Sequence, residues 1–199
     1  MTQMVSALTA AALAALLAGG PFCAEVSAAT PPGPVTARGA AAGKAPSSQA
    51  PEAYLLGFLD VANRGDIDGG RLAQTKAQDP KVRDYGKRMV EEHQFMLREG
   101  NETAARLHLI PTLDSESVTA SMDQKKAMER LRKESGPSFD RAYIQHEIKT
   151  HREVLQKLKE AAKTARQPAV KQILLQTRPV IESHLEAALS IENALNESG

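Results

Sequence analysis

Residues 139–158 read FDRAYIQHEIKTHREVLQKL. Ile144, Ile148, Leu155 and Leu158 recur at steps of four, seven and three, which lays them along one stripe of an α-helix. Three after Ile148, where the stripe calls for another apolar residue, stands His151. The stretch therefore predicts a long amphipathic helix whose buried face carries one imidazole at its middle.

Working outward, Pro137 precedes this run, and Pro51, Pro80 and Pro168 precede three others of the same kind. Proline suits the first position of a helix, where its missing N–H costs nothing, and Asp79 is a natural N-cap before Pro80. The expected helices span 51–77, 80–107, 137–165 and 168–195, each about 28 residues and roughly 42 Å long. Their stripes agree: Val82, Tyr85, Met89, Met96 and Leu107 in the second, and Val170, Ile173, Ile181, Ala188, Ile191 and Leu195 in the fourth. Equal lengths and tight turns predict two antiparallel hairpins, hence an all-α antiparallel four-helix bundle. The longer connection between second and third helices, with Pro111, is expected to hold an extra short helix over 121–134, with Met128 and Leu131 inward. Gly65, Gly69 and Gly70 imply either a bend in the first helix or close packing of another helix. Pro179 removes one backbone bond in the last helix and is expected to kink it.

The other helices repeat the pattern seen at His151. His93 stands four after Met89, and His184 three after Ile181. On the first helix the inward stripe Leu56, Leu59, Asn63, Asp66, Gly70, Ala73 places Asp66 and Asn63 inside, unless Ile67 takes the inward position. His93, His151, His184 and Asp66 all lie near the midpoints of their helices, and antiparallel helices of equal length meet at their midpoints. Three imidazoles and a carboxylate in one buried layer form a metal-ligand set, for which Cu, Zn or Fe are the candidate ions. Glu92, beside His93, and Glu147, one turn before His151, can hold an imidazole tautomer from the second shell. Met89 and Met96 flank His93 on its own face, and their thioethers would suit copper. Each feature has a plainer reading: hydrogen-bonded core histidines that fix helix register, thioethers as core filler, and Glu92 on a solvated face. His146 and His108 fall off the stripe or in a loop and are expected at the surface.

The net charge of +1 gives no footing for nucleic acid or an anionic membrane surface, and the absence of Trp with 4% aromatics excludes a large stacking platform. The apolar run from Val5 to Ala18 reads as the core of a signal peptide over 1–28, which would carry away the single cysteine, Cys23. Residues 29–50 are Ala, Pro, Gly, Ser and Thr with almost no large apolar side chain, the composition of a disordered linker, and 51–199 is the folded domain. The expected destination is the periplasm or outer envelope, with no stable membrane insertion after signal removal and no disulfide. A homo-oligomer stays open and the protein partner unidentified.

The segments FLDVANRGDIDGGRLAQTKA (58–77), VRDYGKRMVEEH (82–93), SGPSFDRAYIQHEIKTH (135–151) and RPVIESHLEAA (178–188) resemble an exported bacterial ferritin-like family, domain-of-unknown-function family 4142. The resemblance covers about 53–195 and implies a ferritin-like four-helix bundle of the envelope with no established activity. It places the family's three histidines on His93, His151 and His184 and its helix-A acid on Asp66, where Glu is usual. Glu92 stands for Asp before the first histidine, and Thr150 for the acid before the second. Ferritin-like di-iron chemistry uses Glu-x-x-His on two helices. The residues three before the histidines here are Val90, Ile148 and Ile181.

Three functions follow. The first is an exported protein that binds one transition metal through the three histidines. The second is an envelope structural or stress-related interaction module whose polar layer only sets register. The third is a metal-dependent hydrolase or oxidase, in which Glu147 or Glu92 would serve as base to a metal-bound water. No nucleophile triad, phosphate loop or haem-attachment motif supports other chemistry, and a non-enzymatic role is the default.

Overall fold

The computed structural model describes residues 50–197, which form five helices: α1 (Ala50–Lys76), α2 (Pro80–Arg106), α3 (Ser115–Lys133), α4 (Gly136–Thr164) and α5 (Pro168–Glu197). The expected signal peptide and the expected linker up to residue 49, and Cys23 with them, lie outside the described residues; Ala50, the last residue of that linker, begins α1. Among the described residues there is no strand, and no helix is long and apolar enough to cross a membrane. The four long helices begin and end within two residues of where the prolines place them. Asp79 caps α2 as its position suggests, accepting from the Lys81 N–H at 2.7 Å. α5 runs on through Pro179.

The short helix differs. It starts at Ser115, six residues before the expected Ser121, because Asp114 is its N-cap and accepts from the Ser117 N–H at 2.8 Å. Met128 and Leu131 do face inward. α3 lies over α1 and α4, and it covers His146. That ring is half-buried and bonded to the Gln124 side chain at 2.9 Å, which corrects its expected surface position. His108 is exposed, in a left-handed backbone conformation just beyond α2.

α1 runs antiparallel to α2, with Asn63 opposite His93 and Gly70 opposite Gly86. The α1–α2 seam is unusually close. A Cβ on Gly70 would sit 2.5 Å from the Gly86 carbonyl oxygen, and one on Gly86 would sit 2.7 Å from the Ala73 Cβ. Of the two readings of the α1 glycines, close packing therefore applies: Gly65 faces the Gln124 side chain and Gly69 faces Glu147 and Tyr143. α4 packs on both α1 and α5, and α5 returns against α2.

Carboxylates tie the two hairpins at both ends. Asp140 of α4 accepts from the Gln78 and Asp79 N–H groups of the α1–α2 turn, at 3.0 and 2.8 Å. Glu52 of α1 accepts from the Arg166 and Gln167 N–H groups of the α4–α5 turn, at 2.8 and 3.3 Å. Glu52 and Asp140 are only 2% exposed, so each carboxylate relies on these backbone donors rather than on water. Asp140→Ala should lower the unfolding free energy by about 2 kcal/mol, the cost of leaving such donors unanswered, read from urea denaturation midpoints.

The apolar core falls into two clusters. One gathers Leu56, Leu59, Val154, Leu158, Ile173 and Ile181; the other gathers Ala73, Met89, Phe139, Tyr143, Ile148 and Ala188. Val154 completes the α4 stripe rather than the expected Leu155, which is half-buried, because three steps on from His151 points deeper than four. Near the middle of every long helix a buried polar residue lies between members of the two clusters: Asn63 and Asp66 on α1, His93 on α2, His151 on α4 and His184 on α5.

Candidate metal centre

The three histidines meet as their midpoint spacing predicts. Exposure is 1% at His93 and His151 and zero at His184, and one ring nitrogen from each lies within 4.8 Å of the other two. Ring centroids are 5.1 to 5.6 Å apart.

The partners of each ring decide which nitrogen carries the proton. His151 Nδ1 lies 2.8 Å from the Glu147 backbone carbonyl, which can only accept, so Nδ1 donates and Nε2 keeps its lone pair. His184 Nε2 lies 2.8 Å from Glu92 Oε2 and donates to it, which leaves Nδ1 bare. His93 Nδ1 lies 2.9 Å from Asn63 Oδ1 and donates there, and its Nε2 has no hydrogen-bond partner. His151 Nε2 and His184 Nδ1 face each other at 3.3 Å, two lone pairs with no proton assigned between them. Each imidazole thus spends its N–H on an oxygen outside the layer and turns a bare nitrogen into it, the arrangement in which outer partners orient ligating histidines.

Burial first, then the neighbouring imidazoles, keeps His93 far below the usual histidine range, and the same causes push His151 down to about 3. His184 is also lowered by burial, against the opposing pull of Glu92. Burial resists charge on Glu92, but the bonds from Arg88 and His184 outweigh it and hold that carboxyl below its ordinary value. The three rings are therefore neutral, the state a metal requires of them.

Glu92, Glu147, Met89 and Met96 stand differently around the histidines. Glu92 serves His184 on α5 rather than its neighbour His93, and Arg88 braces it at 2.8 Å. Glu147 holds His151 through its backbone carbonyl, while its carboxylate stands 3.6 Å from the ring. Met89 is fully buried in the apolar core, and Met96 is half-buried. Asn63, which the sequence places inside without a stated role, sets the His93 tautomer. Asp66 and Ile67 are both buried, so neither displaces the other. Asp66 Oδ2 approaches His93 Nδ1 at 3.4 Å, but its metal-ligand grouping is with Glu147 and His151. A groove of about 250 Å³ between α2 and α5 has Glu91, Glu92, Met96 and Thr177 in its wall, so the partner of His184 borders open space.

These charges oppose one another as pH changes. Each imidazole is neutral when folded and gains a proton when unfolded below about pH 6.5, so stability falls as pH drops through that value. Asp66 and Glu147 have raised values, through burial in both cases and through Asp66 in the second. They keep protons that the unfolded chain releases above about pH 4, which favours the folded state on the acid side. Removing one such group leaves the histidines less opposed. Urea denaturation of the metal-free protein should show a steeper loss of stability between pH 6.5 and 5 in Asp66→Asn than in wild type, by roughly 1 kcal/mol per pH unit for one proton.

The family described as Domain of unknown function (DUF4142) matches this chain over residues 36–191. No curated protein and no solved structure matches it.

Proposed function

We propose that this chain, which belongs to the DUF4142 family, is a binding protein that holds one transition-metal ion through His93, His151 and His184. One observation carries the reading: three buried neutral imidazoles give their protons to oxygens outside the layer, and His93 Nε2 is left with no hydrogen-bond partner. Burying a polar nitrogen unpaired costs free energy, and an ion in the layer would remove that cost. Three imidazoles suit Zn, Cu or Fe and leave a coordination position free. The α2–α5 groove beside Glu92 supplies a route for the ion.

The four long helices, each antiparallel to its packed neighbours, support a ferritin-like four-helix bundle with α3 as its extra helix. We read the protein as exported to the periplasm or outer envelope, with residues 1–28 as its signal. We read the role as binding rather than catalysis: of the carboxylates beside the layer, Glu92 is tied to His184 and Arg88, and Asp66 and Glu147 are buried 3.4 and 3.6 Å from the rings of His93 and His151.

A second reading, a layer that only fixes helix register, is favoured by its position between two apolar clusters. Elemental analysis separates the two. The protein purified without a histidine tag should carry near one equivalent of Zn, Cu or Fe, and His151→Ala should carry none. Absence of metal from wild type even after reconstitution, with His151→Leu as stable as wild type, would favour the register reading.

A further inference from the structure

Beside the three-histidine layer, on the seam between α1 and α4, two buried carboxyl groups have no counter-charge. Asp66 is 4% exposed and Glu147 is fully buried. One oxygen from each and a ring nitrogen of His151 lie within 4.8 Å of one another. Among the described residues no Lys or Arg pairs with either carboxylate; their close neighbours are the rings of His93 and His151, at 3.4 and 3.6 Å.

Register-fixing polar groups satisfy one another, and these do not. Neither carboxylate oxygen of Glu147 has a partner in good hydrogen-bond geometry, and neither has the Tyr143 hydroxyl; the two groups lie near enough to interact, but not well enough aligned to satisfy each other. Leaving a buried acceptor unanswered costs about 1–3 kcal/mol, more if the group is charged. The space around Glu147 depends on the absence of a side chain opposite it. A Cβ on Gly69 would come within 3.3 Å of Glu147 Oε1 and 3.4 Å of the Tyr143 ring. A separate cavity of about 50 Å³, bounded by Asp66, Gln124 and Thr150, reaches this seam from the α3 side, away from the α2–α5 groove. The Gln124 side-chain amide nitrogen also has no hydrogen-bond partner.

We propose that Asp66 and Glu147 hold a second divalent cation next to the histidine-bound ion, with His151 between the two positions: Nε2 serves the histidine layer, and Nδ1 joins the carboxylates only by giving up the proton it donates to the Glu147 carbonyl. Because it shares His151, the proposal rests on the metal-binding reading of the layer. Two carboxylates make this position richer in oxygen than the first, so it selects a harder first-row ion, Mn²⁺ or Fe²⁺, where three imidazoles select Zn²⁺ or Cu²⁺.

The test uses the full chain, stripped of metal, loaded with one equivalent of Zn²⁺ and then titrated with MnCl₂, with bound Mn²⁺ counted by electron paramagnetic resonance. The expected result is one Mn²⁺ per chain in addition to the Zn²⁺. Asp66→Asn and Glu147→Gln keep the side-chain shapes, and each should weaken Mn²⁺ binding at least tenfold while retaining Zn²⁺. His93→Ala should lose Zn²⁺ and keep Mn²⁺. Zinc bound with no manganese, or manganese binding unchanged in both carboxyl variants, overturns the second site and leaves the histidine site standing. Neither ion bound overturns both. Manganese bound without zinc overturns the histidine site and the pairing with it, and leaves a lone carboxylate site.

Discussion

Zn²⁺ at a thousandfold excess over its dissociation constant should raise the melting temperature of the metal-free protein by about 8–16 °C, and His93→Ala should abolish the rise. A ligand that binds only the folded state stabilises it by about 4.1 kcal/mol at that excess. In a chain of this size 1 kcal/mol moves the midpoint by roughly 2–4 °C. His93 is the sharpest position for the test because its Nε2 has no other use in the structure. Without metal the truncation has its own cost: Asn63 loses its partner and a buried cavity opens. The comparison is therefore between each protein with and without Zn²⁺, not between the two metal-free proteins. Scanning calorimetry with and without a chelator reads it. A rise of equal size in the variant would place the ion elsewhere, and no rise in wild type would remove it from the layer.

Gly70→Val should cost about 3 kcal/mol, at the upper end of overpacking penalties. Its Cβ would meet the Gly86 carbonyl oxygen at 2.5 Å and the Val90 side chain at 3.0 Å. The first is backbone, so relief comes only by moving α1 away from α2. That movement also lengthens the Asn63–His93 bond that sets the His93 tautomer, so Zn²⁺ binding should weaken along with stability. Gly100→Ala is the contrast within α2. Nothing lies within 4 Å of its added Cβ, so it should gain about 0.5–1 kcal/mol through helix propensity alone. Equal destabilisation by both substitutions would mean that the close seam is not what Gly70 is for.

Most of this architecture was legible because its signals are local. Four prolines marked the helix starts, and periodicity with histidines out of phase marked the layer. What could not be read belongs to pairings across helices. Nothing near Glu92 in the chain says that it crosses to His184, a residue 92 positions away. Asp66 and Glu147 each look like an acid on its own helix, and only the α1–α4 seam makes them a pair without a counter-charge. The α1 glycines fitted a bend as well as a close approach until Gly86 was seen opposite Gly70. α3 was placed late because its start is set by a cap, Asp114, and not by an apolar stripe.

The two end carboxylates bear on how the chain reaches this state. Each hairpin's turn is finished by an acid supplied from the other hairpin: Asp140 for the first turn, Glu52 for the second. Neither hairpin can complete its own corner in isolation, and these bonds join residues between 61 and 115 positions apart. Bonds of that separation should close only when both hairpins are in place, so the halves are expected to commit together. In hydrogen exchange the amides of Gln78, Asp79, Arg166 and Gln167 should open together, at the free energy of the whole domain rather than that of a fraying turn.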